Sequence, residues 1–189
     1  AVIAAGEANG YNLKAAQAGL GGAVFQMFNH GTISAMLFIL VGVIYDRAHH
    51  REIEGFGGLA AQMPIYTGIC AMVFFAGLGL PGFSGFISEA MCFIGAFPIY
   101  KGIVIASTIG ILLNAAYFLW AFQRIFFGKL NEKYTDLPEI NNRELFTVVP
   151  LLIITLFFGI YPAPYLDIIS STMDVIINHV VTMATISGM

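Results

Sequence analysis

An acidic residue, Glu89, lies inside an apolar stretch of the sequence, and its neighbours at 86–88 and 90–94 supply no charge. The other Asp and Glu residues fall in polar connections or near the ends of apolar stretches. An ionisable residue within a membrane span costs roughly 2.5–3.5 kcal/mol on insertion scales, so it is by default a functional candidate. Glu89 is therefore the first residue whose chemistry needs an explanation.

Helix-breaking residues precede Glu89: Gly79, Pro81, Gly82 and Gly85 lie close together. Glycine permits positive φ and proline removes a backbone donor, so a regular helix is not expected here. Freed backbone groups at membrane depth are tolerated only inside protein or beside a wet cavity. Discontinuous helices of this kind place half-helix ends beside ion sites in transporters. The sequence predicts such a break at Pro81, Gly82 and Gly85.

Two serines, Ser84 and Ser88, follow the break one turn apart, where they can cap the new helix or hold a water molecule. Glu89 then falls in the first turns of this helix. The helix dipole favours its ionised form, whereas desolvation favours its protonated form. Such a balance suits a proton carrier. The alternative is a buried neutral glutamate that joins two helices by hydrogen bonds.

Further polar residues lie in the neighbouring apolar stretches. His30 and Ser34 are one turn apart on the same helix face, and histidine either relays a proton or donates to a carbonyl. A later stretch carries a polar stripe that indicates either helix packing or a water-lined path. The stripe consists of Ser107, Gly110, Asn114, Tyr117 and Arg124.

The composition predicts an all-α membrane protein. The chain is 58% hydrophobic and 10% charged, whereas soluble domains carry about 25% charged residues. A membrane-spanning helix takes about 20 mostly apolar residues. We expect a transmembrane domain over 20–166, after an outer-side loop or the end of a preceding helix at 1–19. Its predicted spans cover about 20–45, 63–100, 103–127 and 146–161.

The region 63–100 is too long for one straight helix across a core of about 30 Å. Either one span is broken at Pro81, or two short spans form a hairpin there. The broken span places most Lys and Arg residues on one side and gives the stronger positive-inside bias. This favours four spans with the second discontinuous, the charged loops in the cytoplasm and the C-terminus on the outer face.

The two ends of the chain carry weaker signals. The tail at 167–189 is apolar but interrupted by Asp174, Asn178 and His179, which favours an interfacial helix over a fifth span. The first residues contain no Met and no basic region, so they do not resemble a signal peptide. We expect the chain to be the C-terminal part of something larger, or a processed product.

Most catalytic and cofactor motifs have no counterpart in this sequence. We find no glycine loop for nucleotide phosphates, no cysteine spacing for iron–sulfur clusters and no nucleophile–base pair. His49 and His50 lie in a hydrophilic loop and are interpreted as solvated. We therefore expect no metal, cofactor or nucleic acid to bind this chain, and no catalytic chemistry of its own.

Several motifs together resemble the antiporter-like subunits of respiratory complex I, the proton-translocating NADH:quinone oxidoreductase. The similarity is greatest to the chain M, or subunit 4, type and covers most of 22–128. It is carried by Asn29-His30-Gly31, Leu37-Phe38-Ile39-Leu40, Tyr45-Asp46-Arg47-Ala48-His49, Gly57-Gly58-Leu59, the run from Gly79 to Glu89, and Arg124-Ile125-Phe126-Phe127-Gly128.

The resemblance implies a fold of fourteen helices, of which this chain holds about the last four. It implies that Glu89 is the ionisable residue of the terminal half-channel and that His30 belongs to the central polar axis. Related chains of the other two types usually carry Lys at the Glu89 position, so the acid favours subunit 4. The family's other Glu–Lys pair and its central lysine are not in this sequence.

The resemblance also implies partners and a location. NADH, flavin, iron–sulfur clusters and quinone would bind in other subunits, and the chain would contact the lipid bilayer and other membrane-arm subunits, most simply in a bacterial inner membrane. Two alternatives stay open. One is a subunit of a multisubunit Na⁺/H⁺ antiporter or of a membrane-bound hydrogenase, and the other is a non-transporting helical scaffold.

Overall fold

The computed structural model of the protein describes residues 13–186 and is helical throughout, with no strand in that range. This confirms the all-α fold predicted from composition. Three short 3₁₀ turns lie in the connections, at Ile53–Gly55, Leu59–Ala61 and Glu132–Tyr134. The six α-helices are α1 (Leu13–Ala48), α2 (Pro64–Gly77), α3 (Ser84–Ala96), α4 (Lys101–Phe126), α5 (Asn142–Ile160) and α6 (Ala163–Ile186).

Three of these helices, α1, α4 and α5, are long and apolar enough to cross a membrane. Helices α2 and α3 have 14 and 13 residues, so at 1.5 Å per residue each is only about 20 Å long. Neither of them crosses a core of about 30 Å alone. They need each other to make one span.

Contacts along α1 show that α2 and α3 form one discontinuous span rather than a hairpin. The Tyr66 hydroxyl of α2 donates to the Leu40 carbonyl at 2.9 Å, and Asn29 Nδ2 donates to the Ser84 carbonyl at 3.0 Å. As the chain passes from α2 into α3, its contacts on α1 move steadily toward the N-terminus of α1. Both helices therefore run antiparallel to α1 in the same direction, whereas a hairpin would reverse it. This confirms the predicted broken second span.

The break itself is made by the residues that predict it. Gly79 and Gly82 have φ of 70° and 102°, which side chains other than glycine rarely adopt. Between them the backbone closes turns, since Leu80 N donates to Phe75 O at 3.2 Å and Phe83 N donates to Leu80 O at 3.1 Å. Gly85, predicted to belong to the break, instead lies inside α3, where its small size matters for packing because a Cβ would approach the Ala76 carbonyl to 3.3 Å.

Small residues let α3 approach the first half of α1 closely. A Cβ on Gly22 would lie 2.7 Å from Met91 Cβ and 2.9 Å from the Ser88 carbonyl, so no side chain fits there without movement. The backbones of Gly19 and Gly95 also meet. This is the small-residue packing that membrane helices use to bring backbones together. It fixes the position of Glu89 relative to α1.

The last two helices, α5 and α6, both run antiparallel to α1. Helix α5 begins with a capping box made by Asn141 and Glu144. The tail, predicted to be interfacial, forms α6 and packs against the first half of α1: the Tyr165 ring stacks on Phe25 at 4.7 Å, and Gln17 Nε2 donates to Asp174 Oδ1 at 2.7 Å. The predicted segment at 1–19 lies mostly outside the described residues.

An arginine joins the other end of α1 to the start of α5. The Arg47 guanidinium donates to both carboxylate oxygens of Glu144, at 3.0 Å and 2.8 Å, and its side chain is only 8% exposed. It also donates to the carbonyls of Val43, Pro138 and Glu139. Every part of this guanidinium therefore has a partner in the fold.

Candidate functional site

The carboxylate of Glu89 lies directly over the backbone of the break. A Cβ on Gly79 would come within 2.8 Å of Glu89 Oε2, so the acid occupies the space that a side chain at 79 would need. Gly79 is therefore required twice, for its positive φ and for this space. The Glu89 residue as a whole is half-buried. The break thus gives the predicted acid a defined position.

Glu89 faces a cavity of about 310 Å³ at the meeting point of α1, α2, α3 and α4. The cavity brings together five of the predicted polar residues: Glu89, His30, Ser34, Asn114 and Tyr117. Its wall also includes Gln26, which the sequence did not single out. The full lining is Gln26, His30, Ile33, Ser34, Leu37, Ala76, Gly77, Gly85, Glu89, Asn114, Tyr117 and Phe118.

The polar residues of α4 attach that helix to the break. Asn114 Nδ2 donates to the Gly77 carbonyl at 3.0 Å, and the Tyr117 hydroxyl bonds to Asn114 Oδ1. Gly77 is the last residue of α2, and carbonyls at a helix end have no partner within their own helix. The Asn114 amide thus supplies the missing donor to the end of α2 and fixes α4 against one side of the cavity.

His30 and Ser34 lie on the α1 wall of the same cavity, with Gln26 one turn before His30. His30 is exposed in the described chain, and neither its ring nor the Glu89 carboxylate forms a hydrogen bond with any residue in the range 13–186. An imidazole and a carboxylate without fixed partners, both facing one cavity, can exchange protons with water held there.

The two serines after the break have a different role from the predicted cap. The N-cap position of α3 is Phe83, and no side chain caps this helix. Instead the Ser88 hydroxyl contacts the Gly85 carbonyl at 2.9 Å and bonds to Gln26. Ser84 and Ser88 are both fully buried between α1 and α3. Capping fails because the serines start the helix rather than precede it.

Ser107 lies away from the cavity, on an exposed part of α4, and its hydroxyl donates to the Ile103 carbonyl of its own helix at 2.8 Å. Of the predicted stripe, Asn114 and Tyr117 face the cavity. A stripe predicted from helical periodicity alone extends further than the cavity does, because the cavity is only about one helix turn deep along α4.

His50 is not solvated as the sequence suggested. Its ring stacks on Phe56 at 4.3 Å, Nδ1 accepts from Glu52 N at 3.3 Å, and Nε2 bonds to the Tyr134 hydroxyl. The long-range contact with Tyr134, 84 residues away, is invisible in the local sequence. Within residues 13–186 no group of three or more His, Cys, Asp or Glu side chains is placed to hold a metal ion.

Curated relatives match most of this chain. It is 40% identical over 164 residues to NADH-quinone oxidoreductase subunit M of Rhodobacter capsulatus and 35% identical over 162 residues to NADH-ubiquinone oxidoreductase chain 4 of Arabidopsis thaliana. These matches cover 86% and 85% of the chain. It is also 38% identical over 157 residues, 83% of its length, to F(420)H(2) dehydrogenase subunit M of Methanosarcina mazei.

The chain spans about a third of the length of these relatives, 32%, 33% and 32% respectively. A chain in the solved structure of respiratory complex I from Thermus thermophilus with bound NADH has the same fold, with a TM-score of 0.80. That match covers 88% of this chain and 35% of the other at 24% identity, which establishes the fold alone.

The family match spans residues 9–116 and so includes both His30 and Glu89. It agrees with the resemblance carried by the motifs on both sides of the break, and the long apolar helices agree with an integral membrane protein. The chain belongs to the NADH:quinone oxidoreductase/Mrp antiporter transmembrane family.

Proposed function

We propose that this chain forms part of a membrane-arm subunit of NADH:quinone oxidoreductase and contributes to proton translocation across the membrane. The observation that carries the proposal is that Glu89 and His30 line the same cavity beside a broken helix. Subunits named M and 4 at 40% and 35% identity support the assignment to this complex.

In this proposal Glu89 exchanges protons with the outer face and His30 relays them from the centre of the membrane. Helix α3 runs from the break along the first half of α1, away from Arg47, so it extends toward the side assigned as the outer face. A water molecule takes up about 30 Å³ of liquid, so a cavity of about 310 Å³ has room for several. Such waters would connect the carboxylate and the imidazole.

The break contributes by holding the acid without neutralising it. Glu89 lies against the Gly79 backbone, and no Lys or Arg among the described residues lines the cavity. An acid held by a strong ion pair would keep its charge, whereas this one is free to gain and lose a proton as its hydration changes. The glycine at 79 therefore serves transport as well as folding.

The remaining assignments follow from the complex rather than from this chain. We assign NADH, flavin, iron–sulfur clusters and quinone to partner subunits, and give this chain no catalytic chemistry of its own. The connection between α4 and α5 would contact neighbouring subunits on the cytoplasmic side. We place the protein in a bacterial inner membrane with its C-terminus on the outer face.

A second candidate keeps the fold and changes the source of energy. The chain is 38% identical to F(420)H(2) dehydrogenase subunit M, nearly as similar as to its NADH-quinone oxidoreductase relative at 40%. In this second candidate the same region would serve a multisubunit Na⁺/H⁺ antiporter or a membrane-bound hydrogenase. Identification of the subunits that co-purify with the chain separates these drivers.

A pure scaffold, the third candidate, requires a dry cavity. Its wall instead carries amide, hydroxyl, imidazole and carboxylate groups, and water is stable in a cavity that offers it several polar partners. An ordered chain of water molecules between Glu89 and His30 in a high-resolution map would oppose the scaffold. A cavity free of water would support it.

The test of the main proposal is Glu89→Gln in the complete complex. The amide keeps the shape of the side chain but carries no titratable proton, so we expect a large fall in protons pumped per electron. Ser107→Ala is the matched control, because Ser107 bonds only within its own helix and lies outside the cavity. Wild-type pumping in Glu89→Gln would remove the role assigned to Glu89.

A further inference from the structure

A second polar cluster lies behind the cavity, in the interface between α1 and α3. Its three core residues, Asn29, Ser84 and Ser88, are each fully buried. Asn29 Nδ2 donates to Ser88 Oγ at 2.8 Å and to the Ser84 carbonyl at 3.0 Å. Ser88 Oγ in turn bonds to Gln26 Oε1, and Gln26 lines the cavity of Glu89 and His30. The cluster is thus connected to the cavity through one amide side chain.

Two atoms of this cluster have no hydrogen-bond partner among the described residues, Asn29 Oδ1 and Ser84 Oγ. Native proteins pair nearly all such buried atoms, either with protein groups or with internal water. The two atoms belong to residues that are already joined by the bond from Asn29 Nδ2 to the Ser84 carbonyl. Both therefore require an additional polar partner within the same small region of the α1–α3 interface.

The face of α1 that carries Asn29 is closed by aromatic rings from the last two helices. Phe25, one turn before Asn29, stacks on Tyr165 at 4.7 Å, and Phe28 contacts the Phe158 ring at 5.9 Å. The phenylalanine rings carry no hydrogen-bonding group, and the Tyr165 hydroxyl forms no hydrogen bond with the Asn29 oxygen. A small polar partner therefore reaches the cluster from the Gln26 side, where the cavity lies.

We propose that Asn29 Oδ1 and Ser84 Oγ bind an internal water molecule. With Ser88 and Gln26, this water forms a hydrogen-bonded side branch of the cavity that contains Glu89. Hydroxyl groups and water both donate and accept, so they can pass a proton between neighbours, while the two amides fix their orientation. The branch rests on the proton-transfer role proposed above for that cavity, and it adds Asn29 and Gln26 as positioning residues.

A high-resolution electron cryomicroscopy map of the complete complex tests the water site directly. We expect a water peak within hydrogen-bonding distance of both Asn29 Oδ1 and Ser84 Oγ, and its loss in Ser84→Ala. Since Ser84→Ala removes one hydroxyl and adds no bulk, the variant should assemble normally. A map that resolves other internal water molecules but shows no peak here overturns the water site.

Proton pumping in the same Ser84→Ala complex tests the branch. We expect a partial loss of protons pumped per electron, smaller than in Glu89→Gln. Thr155→Val is the matched control: Thr155 is also fully buried, but its hydroxyl already donates to the Leu151 carbonyl at 2.8 Å, so pumping should be unchanged.

The two proposals fail in different ways. Wild-type pumping in Ser84→Ala, with Glu89→Gln impaired, overturns the branch and leaves the role of Glu89 intact. Wild-type pumping in both variants removes the proton-transfer role of the cavity itself. A pumping loss in Ser84→Ala accompanied by loss of the water peak supports the branch.

Discussion

Two polar regions of this bundle differ in whether their ionisable side chains are hydrogen-bonded by the fold. At one end, Arg47 has hydrogen bonds from all three guanidinium nitrogens, to Glu144 and to three backbone carbonyls. At the break, Glu89 and His30 have no hydrogen bond with any described residue and face a cavity instead. The first region is built to hold a charge in place, and the second is built to let a charge change.

The same contrast extends to the two ends of α2. Its first turn is held by Glu139, whose carboxylate accepts from Ile65 N at 2.8 Å and Tyr66 N at 3.1 Å. At its other end, the carbonyl of the last residue, Gly77, accepts from the neutral amide of Asn114 at 3.0 Å. The charged contact of α2 therefore lies at the end away from Glu89, and the neutral contact lies at the break.

The largest expected effect comes from Arg47→Ala at the fixed end. It would remove both hydrogen bonds from the guanidinium to the partly buried Glu144 carboxylate and those to three backbone carbonyls. A hydrogen bond to a charged group contributes about 1.5–3 kcal/mol. We expect a marked fall in the unfolding temperature of the complex, or a failure to assemble, measured by thermal denaturation and native electrophoresis.

Arg124→Ala serves as its control. Arg124 is exposed and lies over the Trp120 ring at 4.8 Å, an interaction of about 0.5–1 kcal/mol at exposed sites. Equal destabilisation by Arg47→Ala and Arg124→Ala would contradict the claim that the hydrogen bonds of Arg47 stabilise the contact between α1 and α5.

Gly79→Ala is expected to act at the break, beside Glu89. It forces a side chain into the left-handed region, at about 1–2 kcal/mol, and drives its Cβ toward the Glu89 carboxylate. We expect both lower stability and reduced protons pumped per electron.

Gly82→Ala shares the backbone strain of Gly79→Ala, but its Cβ meets nothing within 4 Å. The pumping measured in Gly79→Ala relative to Gly82→Ala therefore reports the carboxylate contact alone. Equal pumping in the two variants would show that the position of Glu89 over Gly79 has no functional role.

Glu139→Gln should give the smallest effect. The amide still accepts a hydrogen bond at the start of α2 but loses the charge that favours the helix N-terminus, a loss of about 0.3–1 kcal/mol. Thermal denaturation should show a slight destabilisation with normal pumping. A pumping defect as large as that of Gly79→Ala would mean that the two ends of α2 are not separate in function.

Much of this fold follows from local sequence. The apolar stretches predict the helices, and the cluster of Gly79, Pro81 and Gly82 predicts the break, because its φ angles and missing donor exclude a regular helix. Glu89 could be singled out because an acid in an apolar stretch has few explanations. The family motifs assigned His30 to the central polar axis, and the structure places it on the same cavity as Glu89.

Other parts of the site depend on contacts that no local pattern reveals. The hydrogen bonds of Asn29 cannot be predicted from its sequence neighbours. They form with Ser84 and Ser88, which lie 55 and 59 residues further along the chain. Arg47 and Glu144 are 97 residues apart. Periodicity shows which residues share a face of one helix, but the choice of neighbouring helix depends on packing between glycines such as Gly19 and Gly95.

The most direct test of the central claim is whether the Glu89 carboxyl gains and loses a proton during turnover. Infrared difference spectra of the complete complex, recorded between resting and reduced states, report protonation of carboxyl groups. We expect a carboxyl band that changes with turnover and disappears in Glu89→Gln but persists in Ser107→Ala. A spectrum that is identical in wild type and Glu89→Gln would contradict the account.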